Sequence, residues 1–521
     1  MEFASKNLML SLLIMSTFET SLSTRFVRNP NFYSPGLTFY VSSSSGNDGA
    51  DGTSPTSPWQ TLTYAATAIN NGQAPNATLL LLCGDIFLLQ TSAFFHNVTD
   101  GFTMSSYCLS ASQRRPVLLR PSTSAAGPTL TFDESTDITV RGLEIRGGEV
   151  GVAFTFCAGG QGQSEYEGNL EVSDCYFEGI RGLDYNASSG NWWGSSVSLA
   201  AGRWPVLVRN VRVVDNLVNG SDTFFKNEVP WQPWTRVELS GVNISRNALT
   251  HNGYNILFLD SVSHVTVDNN VFLDNTPLQL FVAGTTDIIF GTLNSSVLVT
   301  GNEMSRRGEF QPGGPDGCAV DFETNATGLQ FIDNYVSRAF GAGVMVFGHA
   351  DGSNTELVMT NNRFLFNGCN QTRGDHGGIA FMHKGSSGDL SGNIMITCPG
   401  VPLLYDDLDP GLPGWRINNT VDGEGGVTLS VSSPPTVVAT PQPGGGLLIT
   451  ASHPDPDSVI LRYTNGSRPN PTSPVFPSEG ITLEPDWRAL AVFVKAFPVS
   501  TSDTSGLVLV ESESAGGIYS P

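Results

Sequence analysis

The feature that most constrains the fold is a short pattern that returns nine times between Ile138 and Ile396. Within each copy apolar and polar residues alternate, which is the period of a β-strand and not that of a helix. Successive copies begin 28 to 36 residues apart, at Ile138, Leu170, Val206, Val237, Val265, Val297, Leu329, Leu357 and Gly388. One copy cannot bury its own apolar face, so we expect the copies to stack as coils ~4.8 Å apart, with backbone pairing between neighbours.

Asparagine recurs at one position of five successive copies, as Asn270, Asn302, Asn334, Asn362 and Asn393. An Asn side chain can both donate to and accept from the backbone groups of a turn. We therefore interpret this ladder as a structural feature inside the stack, and not as a ligand site.

The repeat and the segment that leads into it resemble right-handed parallel β-helix proteins of the pectate-lyase-like superfamily. Phe39 to Ile69 contains a first strand, a Gly/Asp turn and a short amphipathic helix. Such a helix would cap the apolar end of the stack and its unpaired strand edges. The resemblance covers about 38–431 and implies an all-β solenoid with an N-terminal capping helix. It does not specify the chemistry, because a fold does not fix a function.

The composition changes after the Ser432–Pro435 boundary. The stretch that begins at Ile460, and the apolar ALAVFVKAF after it, resemble the small C-terminal β-sandwich of chitobiase and β-hexosaminidase-like enzymes. The residues that correspond to a turn of that family are Tyr463, Thr464, Gly466, Ser467, Pro469 and Ser473, and Asn465 stands where Asp is commoner. The resemblance implies an accessory domain of carbohydrate-active proteins that does not supply catalysis.

The first residues have the order of a secretory signal peptide, with Lys6, an apolar run from Leu8 to Phe18 and then small residues. A signal anchor is the alternative. No later segment is long enough to cross a bilayer. We divide the chain into a signal peptide (1–23), an N-terminal segment (24–37), a β-helix (38–431), a β-sandwich (434–510) and a tail (511–521).

Glycosylation sequons are dense along the chain, which is typical of a secreted glycoprotein with exposed loops. They lie at Asn76, Asn97, Asn186, Asn219, Asn243, Asn294, Asn325, Asn370, Asn418 and Asn465.

The seven cysteines favour disulfides in an oxidising compartment, with one thiol left over. Proximity in sequence favours pairs of Cys83 with Cys108, Cys157 with Cys175 and Cys369 with Cys398, which leaves Cys318. Spacing alone cannot fix this connectivity.

The net charge is −22 at 521 residues. It argues against a nucleic-acid partner and disfavours strongly anionic glycans unless a cation bridges. We expect a monomer that is not inserted in a membrane once the signal peptide is removed.

The strongest candidate for chemistry is the stretch from Gly313 to Glu323. Alternation puts Val320 and Phe322 on the core side of a strand, and Asp321 and Glu323 on the side that faces solvent. Residues two apart on a strand are ~6.6 Å apart, within the range of about 6.5 to 9.5 Å for the carboxyl pair of an inverting glycosidase. Asp316, in the preceding turn, is a third acid or a cation ligand.

The next coils place further polar residues beside this strand. We expect the strands that begin at Val344 and Ile379 to stack next to the one at Val320. This register brings several ionisable residues to one side of the stack, namely His349, Asp351, Asp375, His376, His383 and Lys384. Such a group suits acid/base chemistry on a polysaccharide. A calcium or glycan-contact site and an ordinary solvated face remain the alternatives.

Aromatic insertions interrupt the repeat between Leu183 and Trp234, and Trp192 and Trp193 are the strongest candidates for substrate contact. An indole face matches the apolar C–H face of a sugar ring. The alternative is that these residues pack loops against the coil.

We therefore predict a secreted protein that cleaves a polysaccharide by hydrolysis. No cofactor is assigned to it, and calcium is the one candidate. The catalytic candidates are Asp316, Asp321, Glu323, His383 and Lys384, and the candidates for substrate contact are Trp192, Trp193, His349, Asp375 and His376. A lyase with Lys384 or a histidine as base, and calcium on Asp316 and Asp321, is the variant within the enzyme class. The catalytic signatures of polygalacturonase-like enzymes and pectate lyases are not recognisable as sets. A non-catalytic glycan-binding or extracellular-matrix protein is therefore the alternative, and a purely structural surface solenoid is a third interpretation.

Overall fold

The computed structural model describes most of the chain from Gly36 onward, which forms one compact unit. The described ranges are 36–73, 76–110, 113–121, 127–156, 164–182, 194–201, 206–227, 237–253, 256–275, 286–291, 293–306, 317–323, 327–346, 355–369, 377–382, 385–406, 412–422, 428–443, 446–456, 458–483, 490–499, 507–510 and 512–519. None of the helices in these ranges has the length and apolar content that a membrane crossing requires.

The chain winds as a right-handed parallel β-helix, as the family resemblance implies, and its coils contribute strands to three faces. The first face has the longer strands: Thr38–Val41, Thr78–Leu82, Phe102–Tyr107, Ile138–Arg141, Ser164–Ser173, Val206–Val214, Val237–Ser245, Val262–Asp268, Leu293–Thr300, Leu329–Ile332, Leu357–Thr360, Gly388–Ile396 and Trp415–Val421. The second face has short strands: Ile86–Leu88, Val117–Leu119, Glu144–Arg146, Tyr176–Glu178, Leu217–Asn219, Ala248–Thr250, Val271–Leu273, Glu303–Ser305, Tyr335–Ser337 and Arg363–Leu365.

The third face has these strands: Ala93–His96, Pro128–Asp133, Val150–Phe156, Ser195–Ala201, Thr223–Lys226, Leu257–Leu259, Ile288–Phe290, Val320–Phe322, Val344–Val346, Ile379–Phe381 and Leu404–Tyr405. Its register is regular from coil to coil. Val320 pairs with Val344, which pairs with Ile379, so the stacking order expected for these three strands is confirmed.

The core lies inside the coils and is built from the inward residues of each strand. On the third face, phenylalanine rings stack between successive coils. Phe132 lies 5.1 Å from Phe95 and 5.5 Å from Phe154, and Phe290 lies 5.5 Å from Phe322. Where successive coils supply a ring at the same inward position, the stacked rings help to keep those coils in register.

The asparagine ladder is confirmed, and it extends beyond the five predicted residues to Asn216, Asn247 and Asn419. Each side-chain nitrogen donates to the side-chain oxygen of the next Asn, at distances between 2.8 and 3.2 Å. The same oxygen accepts a backbone N–H, as in the 2.9 Å bond from Asn270 N to Asn302 Oδ1. The ladder thus satisfies the turn between the first and second faces inside the stack.

The predicted N-terminal cap is also present. The helix Leu62–Ala68 begins after Thr61, whose hydroxyl accepts from the backbone N–H of Tyr64 at 3.2 Å. A π-helical turn, Ile69–Gln73, continues it. Trp59, just before the helix, stacks on Phe39 of the first strand at 4.6 Å, so this segment covers the apolar end of the coils.

Two of the three disulfides predicted from proximity are present, Cys83–Cys108 and Cys369–Cys398. The predicted bond between Cys157 and Cys175 is wrong. Cys175 is a buried thiol whose Sγ donates to the carbonyl oxygen of Ser173 at 3.3 Å, while Cys157 lies outside the described residues. Cys175 occupies the ladder position next to Asn216, where its backbone N–H donates to Asn216 Oδ1. Its side chain therefore points into the stack. Cys318, the predicted leftover thiol, is buried and reduced.

After the coils the chain forms a small C-terminal β-sandwich, as expected. Thr436–Pro441, Leu447–Ser452 and Ile481–Leu483 form one antiparallel sheet, and Val459–Asn465, Leu490–Pro498 and Ala515–Tyr519 form another. Thr428–Val431 pairs in parallel with Leu507–Val510. The resemblance of this sandwich to the chitobiase C-terminal domain stays a prediction.

The sandwich packs on the outer side of the second face. Ala491, Phe493 and Ile518 contact a cluster of outward side chains of the β-helix, namely Tyr176, Leu217, Ala248, Val271 and Leu273. This explains why those outward positions are apolar and buried. These contacts of the described sandwich strands are with the second face and not with the first or third face.

Candidate functional site

The predicted acidic strand lies on the third face, and its alternation is as expected. Val320 and Phe322 point into the core and are fully buried. Asp321 therefore points outward, where its register partners are Ile289 on one side and Met345 on the other.

The prediction that Asp321 faces open solvent is wrong, because only 1% of the residue is exposed. The outward positions on the following coils are Met345 and Ala380, which are also buried, and they cluster with Cys318 and Ala342. An apolar outer surface at these coils is covered by protein and not by water. Alternation fixes the side of the strand on which a residue lies, but it cannot show that this side is itself packed.

Glu323 follows the strand and is half-buried. Its backbone N–H donates to the carbonyl oxygen of Phe290 at 3.0 Å, and the N–H of Gly291 donates to Leu259 at 2.9 Å. These bonds extend the parallel ladder by one residue past each strand. They place Asp260, Gly291 and Glu323 at the same position of three successive coils.

Gly291 lies between the two acids, and its missing side chain leaves room for the Asp260 carboxylate. A Cβ added at Gly291 would lie 3.0 Å from Cγ of Asp260, so the Asp260 carboxylate occupies the space above this glycine and extends toward the coil of Glu323. Asp260 is 8% exposed, and its backbone N–H donates to Asn227 Oδ1 at 3.0 Å. The outer side of the third face thus brings together Asp260, Asp321 and Glu323.

Sequence reasoning missed Asp260. The signal that could have found it is the repeat itself, since the stretch LFLD of 257–260 aligns with VDFE of 320–323 two coils later. Residues at equivalent positions of successive coils are neighbours along the axis of the stack, only ~4.8 Å apart, although they are far apart in the chain.

Lys226 is a second residue that sequence reasoning missed. It lies in the same outward row as Asp321, paired with Ser198 and Phe258, and Phe258 pairs with Ile289. The residue is 7% exposed. Burial lowers the pKa of Lys226 to about 8, against the opposing effects of Asp222 and Glu149.

Asp222 lies close in sequence to this lysine and is held by two backbone donors. It accepts from the N–H of Gly182 at 2.8 Å and of Gly194 at 3.0 Å. Burial nevertheless raises the pKa of Asp222 above its ordinary value. The coil of Lys226 therefore carries a buried base and a buried acid, and Asp260 follows the third-face strand of the next coil.

Most of the other predicted site residues fall outside the described ranges. These are Asp316, His383 and Lys384 among the catalytic candidates, Trp192, Trp193, His349, Asp375 and His376 among the contact candidates, and Asp351. In sequence, each lies within about five residues of a strand of the third face. Their roles stay predictions.

Within the part of the chain that the structure describes, no group of three or more His, Cys, Asp or Glu side chains is arranged to hold a metal ion. The three acids of the third face are instead spaced apart from one another. Asp321 and Glu323 are two residues apart along the chain, and Asp260 and Glu323 are two coils apart along the stack. Carboxyl groups several ångströms apart on one surface can act on the same bond, one as an acid and one as a base.

Comparison with known proteins agrees with the fold. Residues 216–407 match the family described as right handed beta helix region. No curated protein sequence matches the chain.

Several solved structures are similar to parts of the chain. The GH136 lacto-N-biosidase from Eubacterium ramulus is 16% identical with a TM-score of 0.49, over 74% of this chain and 67% of that one. The alginate lyase from Paenibacillus sp. str. FPU-7 is 12% identical with a TM-score of 0.36, over 66% of this chain and 97% of that one. The Dettilon tailspike protein is 13% identical with a TM-score of 0.38, over 88% of this chain and 79% of that one. Similarity at this level assigns no activity to this chain.

Proposed function

We propose that this chain is a secreted enzyme that hydrolyses a polysaccharide on the outer side of the third face. The observation that carries the proposal is the placement of Asp260, Asp321 and Glu323 on one surface of a parallel stack, with Gly291 between Asp260 and Glu323. The two disulfides and the predicted signal peptide support an oxidising, extracellular location.

The chemistry follows from paired carboxyl groups. One carboxyl donates its proton to the glycosidic oxygen as the bond to the anomeric carbon breaks. A second, ionised carboxylate accepts a proton from the water whose oxygen attacks that carbon. Asp321 and Glu323 have the ~6.6 Å strand spacing that leaves room for this water, so the proposal implies inversion at the anomeric carbon.

Asp260 is the third member and approaches Glu323 across Gly291. Two coils separate their backbones by about 9.6 Å, and the Asp260 side chain covers the intervening glycine. Asp260 therefore either pairs with Glu323 as the second catalytic carboxyl or holds a sugar hydroxyl beside it. The variants below separate these roles.

A second candidate is a glycan-binding protein without catalysis, and the burial of Asp321 favours it. A carboxyl group that is 1% exposed reaches a polymer only if the covering residues move.

A lyase that uses Lys384 or a histidine as base, with calcium on Asp316 and Asp321, is the third candidate. It predicts that a chelator abolishes activity.

The test compares reducing-end release from a panel of neutral and uronate polysaccharides by the wild type and four variants. Asp321→Asn and Glu323→Gln remove the predicted pair, and Asp260→Asn removes the third acid. Asp389→Asn is the matched control, because Asp389 lies on the first face beside Arg416 at 3.8 Å. We expect each member of the catalytic pair to lose roughly 10²–10⁴-fold in kcat, while the control is unchanged.

Substrates with an activated aryl leaving group identify the acid. Loss of the general acid costs little on such a substrate because the leaving group needs no proton, whereas loss of the base remains costly. Equal activity in wild type and all four variants would reject this site. Binding without product in the wild type would support the glycan-binding alternative.

A further inference from the structure

At its N-terminal end the third face leaves an aromatic pair open to solvent. Phe94 and His96 are the outward residues of the strand Ala93–His96. Phe94 is 47% exposed, and the His96 side chain is 53% exposed. The centroids of the two rings are 6.2 Å apart, and their planes are 9° from parallel. We call Phe94, His96 and the neighbouring Asp133 the N-terminal platform.

Asp133, on the next coil, holds the imidazole of His96 in one orientation. The two residues are register partners, and His96 Nδ1 lies 2.8 Å from Asp133 Oδ2. The other carboxylate oxygen accepts from the Thr155 hydroxyl at 2.6 Å. Because an ionised carboxylate only accepts, Nδ1 carries the proton of its bond. Among the described residues no hydrogen bond is made to His96 Nε2, so this nitrogen is available to a ligand.

Asn70 closes the outer edge of the same strand. Ala93–His96 is the terminal strand of the third-face sheet. Asn70 Nδ2 donates to the carbonyl oxygen of Phe94 at 2.8 Å, and Asn70 Oδ1 accepts from the backbone N–H of His96 at 2.9 Å. These two bonds take the place of a further strand, which disfavours pairing with an extended peptide. They also fix the backbone that carries both exposed rings.

The N-terminal platform combines the two kinds of contact that a sugar makes. The Phe94 ring matches the apolar C–H face of a sugar, and His96 Nε2 can bond an adjacent hydroxyl. The charge of Asp133, whose side chain is 16% exposed, disfavours a uronate. The described contacts of Phe94, His96 and Asp133 include no Lys or Arg side chain that would offset this repulsion.

The N-terminal platform lies in line with the acids of the third face but apart from them. A single series of register partners runs along the stack through Phe94, Thr131, Ala153, Ser198, Lys226 and Phe258. His96 and Asp260 each lie two residues after an end of this series, so five coil spacings, about 24 Å, separate them. Ala153, Ser198 and Lys226 are buried, so the platform is a separate exposed surface.

We infer that the N-terminal platform is a second glycan-binding site. It takes one neutral sugar unit, with a C–H face on Phe94 and a hydroxyl on His96 Nε2. The choice of a sugar rests on the proposed function, whereas the exposed ring and the oriented imidazole do not. A polysaccharide held here has a higher local concentration at the acids of the same face. The platform itself supplies no catalytic group.

The experiment follows the imidazole of His96 by NMR in protein labelled with carbon-13 at histidine Cε1. The chain has seven histidines, and the signal that disappears in His96→Ala is that of His96. Cellotetraose, xylotetraose, maltotetraose and trigalacturonate are titrated separately. All proteins carry Glu323→Gln, which removes one proposed catalytic acid and so limits cleavage of the probes.

The test variant is Phe94→Ala, with two matched controls. Leu88→Ala changes an apolar residue that is 58% exposed on the second face. His264→Ala removes an exposed imidazole from the first face. Phe94 is a solvent-exposed side chain, so its removal should leave the fold intact, and thermal melting of each variant checks this.

We expect at least one neutral tetraose to shift the His96 signal in a saturable way. Phe94→Ala should raise the Kd read from this shift about tenfold or more, while both controls leave it unchanged. Turnover of the polysaccharide panel by the wild type is measured separately. A saturable shift in a protein without turnover would keep this inference and reject the proposed enzyme activity.

Three results would overturn the inference. They are a His96 signal that no neutral tetraose shifts, an unchanged Kd in Phe94→Ala, and a shift with trigalacturonate alone. If the wild type nevertheless cleaves a polysaccharide, the proposed function is retained and only the N-terminal platform is rejected.

Discussion

The ammonium group of Lys495 in the sandwich lies 3.1 Å from Glu303 Oε2 on the second face of the β-helix, and both side chains are fully buried. Glu303 also accepts from the backbone N–H of Ser514 at 2.6 Å and from its hydroxyl at 2.7 Å. Burial alone would raise the pKa of Glu303, but Lys495 and Arg468 together with Ser514 lower it below 4.5. This network fixes how the sandwich sits on the coils.

Lys495→Met tests this network. It leaves the Glu303 charge buried without its main counter-charge, and breaking a buried pair in this way typically costs about 3–5 kcal/mol. We expect a loss of that order in the free energy of unfolding, measured by urea titration. Arg416→Met is the matched control, since its exposed pair with Asp389 should contribute at most about 1 kcal/mol. Equal effects of the two substitutions would contradict the network.

Lys226 gives the protein a pH-dependent stability on the alkaline side. Its folded pKa of about 8 is below its ordinary value of 10.5, so between these values the unfolded state holds a proton that the folded state has released. Stability from this group therefore rises as pH increases from about 8 to 10.5. We expect the wild type to gain stability relative to Lys226→Met across this window, in urea titrations at several pH values. A difference that stays constant, or that moves the other way, would show that Lys226 is not buried in this manner.

The asparagine ladder should be costly to interrupt. Asn302→Ala removes the acceptor of the Asn270 N–H and the donor to Asn334 Oδ1, both inside the stack. Each buried group left unsatisfied costs about 1–3 kcal/mol, so we expect a loss of at least about 2 kcal/mol in the free energy of unfolding. Gln330→Ala, at an exposed position of the neighbouring coil, should change stability by about 0.5 kcal/mol or less. A small effect of Asn302→Ala would mean that water replaces the ladder.

Cys175 should be unreactive in the native protein. Burial raises the pKa of this thiol to about 12, and only a thiolate reacts readily with an alkylating agent. Iodoacetamide at pH 8 should therefore label Cys175 only after unfolding, as read by peptide mass spectrometry without reductant. Labelling of the native protein would contradict its burial. Absence of labelling after unfolding would indicate a disulfide at Cys175.

The sequence predicts the fold well because a repeat expresses the same physical requirement many times. The ladder residues and the inward positions Val320 and Phe322 follow from period alone, since each coil must match its neighbours. The cap at Leu62–Ala68 follows from the need to cover an apolar stack end.

The candidate site was predicted less completely, for identifiable reasons. Burial of Asp321 depends on what covers the outside of a strand, which alternation does not reveal. Asp260 and Glu323 are 63 residues apart in the chain, and only the coil register brings them together. Lys226 and Lys495 are buried because distant segments pack on them, and a local pattern carries no sign of such packing.

The most direct test of the proposed hydrolysis is mass spectrometry of the oligosaccharides released from neutral polysaccharides in water labelled with heavy oxygen. The proposal predicts saturated products that carry one labelled oxygen at the new reducing end, and their loss in the Asp321→Asn with Glu323→Gln double variant. Unlabelled products with an unsaturated end would establish elimination, and no product from a polysaccharide that the protein binds would establish a glycan-binding protein. Either result would contradict hydrolysis on the third face.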